Sequence, residues 1–321
     1  VSARVIAVVC LVGAGHATAC VEIDPAFYDD ATGTGASTTG DTAAASTGAS
    51  GPSAITCDDL DPAVVFCTDF EEGHLDQWDD YDDNVSVDNV LALDPGARDA
   101  DDNHVMRLRV APGPDAVDLV KLLPGYYDRL YTRWYIKYET AYDLSRPGLG
   151  SGLHAGARDL LGVSDALPAG DDRFSVLTTH TPTDPQPAAR LDYRGQYQDC
   201  PDPAMACFRD TLPCLQDPAT CSNPAHRTAP STPALRNDQW YCVEMSVDAG
   251  TAVDDAALAD GVLELWVDGA SAGRWDDLWF RTDDNLKLNV LWLLLYYGGD
   301  HGDEGVLYDD VVVSRERIGC L

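Results

Sequence analysis

Residues 130–138 read LYTRWYIKY. Nine residues without Gly or Pro, dominated by aromatic and β-branched side chains, have the composition of a β-strand. Alternation places Tyr131, Arg133, Tyr135 and Lys137 on one face and Thr132, Trp134, Ile136 and Tyr138 on the other. Trp134 and Ile136 suit a core, whereas two cations and two phenols do not suit a dry one. The strand is therefore expected to pack one face and to turn the other toward solvent or a ligand. The segment QWYCVEMSV (239–247) repeats this design, with Trp240, Cys242 and Glu244 on one face and Tyr241, Val243 and Met245 on the other.

Working outward, similar segments recur between Asp/Gly/Pro turns: 63–70, 84–93, 104–110, 117–123, 173–180, 190–197, 261–268, 285–297 and 306–315. Only DDAALAD (254–260) reads as a helical turn. Many short strands with frequent turns and no fixed repeat predict an all-β protein, a single two-sheet antiparallel sandwich over residues 57–321.

The 321 residues carry 54 acids against 21 Lys+Arg, a formal net charge of −33, and 45% are hydrophobic. Such a chain can bury a core, and like-charge repulsion excludes nucleic acid and anionic membrane surfaces as partners. Arg4 followed by an apolar run from Val5 to about Gly15 is too short to span a bilayer and reads as an export signal over 1–19. Ala17-Thr18-Ala19-Cys20 matches a lipoprotein cleavage site, with a plain signal cut at Ala19 as the alternative. Residues 20–56, with the Thr/Ser/Gly/Ala tract at 31–54, read as a flexible tether from a lipid on Cys20. Val21 takes the position where an inner-membrane retention Asp often stands, so an outer-membrane or cell-surface location is expected, with membrane contact only through that lipid. In an oxidising compartment, Cys57, Cys67, Cys200, Cys207, Cys214, Cys221, Cys242 and Cys320 are expected to form disulfides. The four from Cys200 to Cys221, seven residues apart, mark a stapled insertion over 198–232, and bridges among the other four would tie the two ends of the domain together.

The order WYCVEMSV, DGVLELWVDG, LWFRTDD, LLLYYGG and VLYDDVVVSRERIGC, with DFEEG and RWYIKY upstream, resembles the concanavalin A-like lectin/glucanase superfamily. Within it, the chain looks most like bacterial jelly-roll proteins related to polysaccharide lyases, over most of residues 60–321. The resemblance implies one convex and one concave sheet, a WVDG hairpin, a final YDDVVVS strand beside the first strand, and a glycan site in the concave groove. The paired acids of the glucanase branch are missing, since Glu22-Ile23-Asp24 lies in the tether without a partner Glu. The lyase branch implies a Tyr base and a His or Arg that neutralises the substrate carboxylate. Here those roles fall to Tyr135, His154 and Arg133; RPGLGSGLHAG (146–156) resembles the Gly-rich loop of that branch and supplies His154, although it lacks the expected Lys.

Glycan contacts are expected from Arg133, Tyr135, Lys137, His180, Tyr193, Tyr197 and Tyr297, because phenols stack on sugar C–H faces and cations pair with uronates. Residues 98–137 hold seven cations and six acids, locally basic within an acidic chain, and Arg107 and Arg109 among them have the alternative of balancing nearby acids. No cofactor is required; a structural calcium ion would fall where the first and last strands meet, at Glu71, Glu72, Asp309 and Asp310. Three functions follow: a monomeric surface lipoprotein that binds a polysaccharide, a lyase acting by β-elimination on a uronic-acid glycan, or a non-catalytic adhesion protein of the envelope.

Overall fold

Strand β8 (Arg129–Tyr138) lies between β13 (Trp240–Asp248) and β19 (Glu304–Ser314), with Tyr135 opposite Cys242 on one side and Asp309 on the other. The computed structural model describes residues 7–11, 19–23, 57, 61–81, 90–93, 104–110, 115–146, 148–163, 168–183, 189–198, 208–212, 232–297 and 302–321. Around β8 an eight-stranded sheet runs β17 (Ala270–Leu278), β16 (Gly261–Val267), β13, β8, β19, β6 (His104–Val110) and β5 (Val90–Leu93), with β3 (Val64–Thr68) also paired to β19. A seven-stranded sheet runs β12 (Phe208–Leu212), β11 (Ala189–Gln198), β10 (Arg173–Pro182), β9 (Gly148–Gly156), β18 (Leu288–Tyr297), β7 (Asp115–Tyr127) and β4 (Asp80–Tyr81). Pairings within both sheets are antiparallel. Two short ribbons stand apart, β1 (Ala7–Leu11) with β2 (Ala19–Ile23) and β14 (Ala252–Val253) with β15 (Ala256–Ala257).

The sheets pack face to face. Trp134 and Ile136 of β8, Val243 and Met245 of β13 and Tyr308 of β19 meet Leu153, Leu291, Leu293 and Leu119 of the other sheet in one apolar core. The run NVLWLLLYY (289–297) lacks alternation because β18 is buried on both sides. Leu291, Leu293 and Leu295 enter the core, while Val290, Trp292 and Leu294 join Val120 and Leu177 in a second cluster on the opposite face. The all-β sandwich, the 130–138 and 239–248 strands and the pairing of the last strand with the first stand as expected. The WVDG segment does close a hairpin: Asp268 and Gly269 both take positive φ, as a two-residue hairpin turn requires.

Two local expectations are overturned, and one strand was not anticipated. The Gly-rich 148–156 segment is not a loop but β9, central in its sheet. Its glycines offset their low strand propensity by allowing close approach: an added Cβ on Gly152 would collide with the Val176 carbonyl, and one on Gly148 with the His180 ring. Residues 254–260 form no helical turn; Asp254 and Asp255 take positive φ and link β14 to β15. Residues 270–278 are an edge strand that the polar, Gly-containing sequence ASAGRWDDL did not announce.

Cys57 pairs with Cys67, and Cys242 with Cys320. Neither bridge joins the first strand to the last; the β3–β19 ladder does that. Cys200, Cys207, Cys214 and Cys221 lie outside the described residues, as does the expected 198–232 insertion apart from Gln198, Phe208–Leu212 and Thr232.

Candidate functional site

A two-layer sandwich has two outward faces, and the residues singled out from the sequence are divided between them. Because Trp134 and Ile136 enter the core, Arg133, Tyr135 and Lys137 point away from it on the eight-stranded sheet. Because Leu153 and Ala155 enter the core, His154 points away from it on the seven-stranded sheet. Tyr135 and Arg133 therefore lie on the opposite side of the molecule from His154, and these three side chains do not converge.

The face of β8 is covered as well. Residues 315–321 run across it. Arg133, fully buried, donates from Nη1 to the Gly319 carbonyl at 3.1 Å and from Nη2 to that of Asp310 at 3.3 Å. The Tyr135 hydroxyl accepts from the Leu321 amide at 2.7 Å and donates to its carbonyl at 3.3 Å. The buried Glu244 carboxylate accepts from the Ile318 amide at 2.7 Å and pairs with Arg317 Nε at 3.3 Å, while the Arg317 guanidinium lies 4.4 Å from the Trp266 ring centroid. Lys137 is buried with its ammonium 5.1 Å from the centre of the Trp240 ring. The polar stripe that the sequence assigns to solvent or a ligand thus holds the tail, and the Cys242–Cys320 bridge anchors it there. The expected open, basic surface is not formed by its neighbours either: Arg107 pairs with Glu139 at 3.0 Å and Arg109 with Asp303 at 2.8 Å.

The outward face of the seven-stranded sheet is different. Its register brings together Asp118 and Val120 of β7, Trp292 and Leu294 of β18, His154 of β9 and Ser175 of β10. Trp292 Nε1 donates to Asp118 Oδ2 at 2.7 Å, which fixes the indole in place. His154 Nδ1 and Ser175 Oγ are 2.7 Å apart, and burial pushes the imidazole down to about 4, an effect that Arg173 reinforces and the Ala157 backbone partly offsets. Leu122 is 39% exposed on β7, and past the register break that follows it Tyr126, just before β8 begins, is 73% exposed. On β11, Gln196, Arg194 and Asp192 stand opposite Ser175, Leu177 and Thr179 in register.

His180 does not join this face. It is buried between the sheets, its ring centroid 5.5 Å from Tyr138 and 5.3 Å from Tyr142, and desolvation also lowers it to about 4. Tyr193 stands opposite Thr178 and Leu212 and Tyr197 opposite Arg209, while Tyr297 ends β18 opposite Asp115. Glu71 is engaged with His104 at 3.2 Å, Glu72 is exposed, and Asp309 and Asp310 are buried in β19. Among the described residues no group of three or more His, Cys, Asp or Glu side chains is arranged to hold a metal ion.

Among solved structures, an alginate lyase from Chlorella virus, vAL-1, superposes with a TM-score of 0.53 over 79% of this chain and all of its own, at 13% identity. The two chains share this two-sheet antiparallel fold. An endo-β-1,4-glucuronan lyase from the fungus Trichoderma reesei matches at TM-score 0.47 and 12% identity over 79% of this chain and 96% of its own. The alginate lyase Aly36B gives 0.47 and 12% over 83% and 98%. No protein-family model and no curated protein matches the sequence. Most strands of this sheet, 117–123, 173–180, 190–197 and 285–297, were legible in the sequence; the register that sets Trp292 and Asp118 on the same face as His154 was not.

Proposed function

We propose that this jelly-roll protein binds a polysaccharide across the outward face of its seven-stranded sheet. One observation supports the reading: of the two outward faces, that of the eight-stranded sheet is sealed by residues 315–321, while the other carries the partly open Asp118, Tyr296 and Thr179 beside the largely buried Trp292 indole, with the exposed Tyr126 at the end of β7. Pyranose rings have apolar C–H faces that stack on Tyr296 or Tyr126, and on Trp292 where it is uncovered, and hydroxyl groups that Asp118 can accept from. Retention of the protein on immobilised alginate, glucuronan and neutral β-glucans tests this. Tyr126→Ala and Trp292→Ala are each expected to weaken retention about tenfold, the loss of one aromatic contact. Unchanged retention in both variants would rule out this face.

A lyase reading is supported by one feature: His154, the imidazole that the sequence singles out, belongs to this face, with its Nδ1 2.7 Å from Ser175 Oγ. Release of unsaturated, ultraviolet-absorbing product in the same incubations, abolished by His154→Ala, is its signature. Binding to none of the polymers favours the adhesion reading, with a protein partner.

The leader supports export and display at the cell surface, with a lipid on Cys20 and the tract at 31–54 as tether. Fatty-acid labelling of the expressed protein is expected, and its persistence in Cys20→Ser would refute the anchor.

A further inference from the structure

The segment Ala157–Val163 leaves the end of β9 and lies over the sheet face proposed above. Its first turn is a single 3-10 turn, Arg158–Leu160. From there Leu161 packs on the cluster of Val120, Leu177, Val290, Trp292 and Leu294. Gly162, at φ +67°, lies so close to the indole that an added Cβ would come within 3.5 Å of Trp292 Cη2. The Arg158 guanidinium pairs with the Asp80 carboxylate of β4. Since the sheet order is β9, β18, β7, β4, a residue attached to β9 that reaches Asp80 has crossed both β18 and β7. A weak bond from Arg173 Nη2 to the Val163 carbonyl, at 3.5 Å, holds the far end.

The contacts that hold this crossing are few. Arg158 and Asp80 are each nearly half exposed, so water and salt screen their attraction. Leu161 is only partly buried. Beneath the segment, Val290 and His154 are fully buried and Trp292 nearly so, whereas beyond it Asp118, Tyr296 and Thr179 are partly open.

We propose that Ala157–Val163 is a strap that closes the Trp292–His154 half of the face, so that a glycan reaches this half only when the strap lifts. This inference rests on the polysaccharide reading. The open half takes a short stretch of sugar, and the strapped half extends the site to a longer one. When a site is available in only a fraction of molecules, apparent affinity falls by that fraction. Weakening the strap therefore strengthens binding even though no contact to sugar is added.

The test uses Arg158→Ala, Leu161→Ser and the double variant, with two readouts. Amide exchange across 157–163 reports the strap itself and needs no glycan; it is expected to quicken about tenfold in the double variant. Affinity for long oligosaccharides is expected to rise about tenfold while affinity for disaccharides stays constant. Unchanged exchange would overturn the strap, because the named contacts would not be what holds it. Faster exchange with unchanged or weaker binding of long chains would overturn gating while leaving polysaccharide binding intact. If neither wild type nor variant binds any polymer, the underlying reading fails and the gating inference with it.

Discussion

Replacing Cys242 and Cys320 together by alanine is expected to lower the free energy of unfolding by about 4 kcal/mol while leaving polysaccharide retention unchanged. The bridge spans 78 residues of sequence, and a cross-link over a loop of that length removes much of the conformational freedom of the unfolded chain. The folded state loses as well. Glu244 is fully buried and its charge is satisfied by the Ile318 and Gly319 amides and by Arg317. Arg133 is matched by tail and strand carbonyls. If the tail detaches, two buried ions lose partners that water cannot easily replace under the sheet's own side chains. Urea denaturation at neutral pH measures the change. A loss below about 1 kcal/mol would mean that hydrogen bonding alone holds residues 315–321 in place. A fall in glycan retention would mean that the sealed face, contrary to its geometry, takes part in binding.

Between pH 6.5 and 4 the protein is expected to lose stability through His154 and His180, by up to about 3 kcal/mol for each. Both imidazoles are lowered from 6.5 to about 4, chiefly because burial disfavours the charged form. In that window the unfolded chain binds protons at these positions and the folded chain does not, so the unfolding free energy rises with pH. The contribution is complete above about 6.5 and is lost as the pH falls through the window. Protonation of carboxylates in a chain of net charge −33 relieves repulsion over part of the same range and acts in the opposite direction. The informative quantity is therefore a difference. His180→Gln and His154→Gln should each flatten the dependence of stability on pH between 6.5 and 4 relative to wild type. Identical slopes would show that the imidazoles charge in the folded state, and hence that the interior around Tyr138 and Tyr142, or the face beneath Ala157, admits water.

The sequence alone determined the class of fold and most of its strands. The period-two pattern of LYTRWYIKY and QWYCVEMSV is local: it says which side chains share a face, and Trp134 and Ile136 say which face is dry. The pairing of VLYDDVVVS with the first strand was legible through resemblance. Tertiary structure alone decided where each polar face points and what covers it. Arg133, Tyr135 and Lys137 have the composition of a ligand site, but they are satisfied by backbone from residues far along the chain, and no local pattern carries that information. The 148–156 segment was expected as a loop through the resemblance alone, and the close approach of β10 that its glycines allow is a tertiary property that no local pattern shows. Trp292 and His154 became a candidate site for the same reason: register across β7, β18, β9 and β10 set them side by side, and register is settled by the packing of the whole sheet.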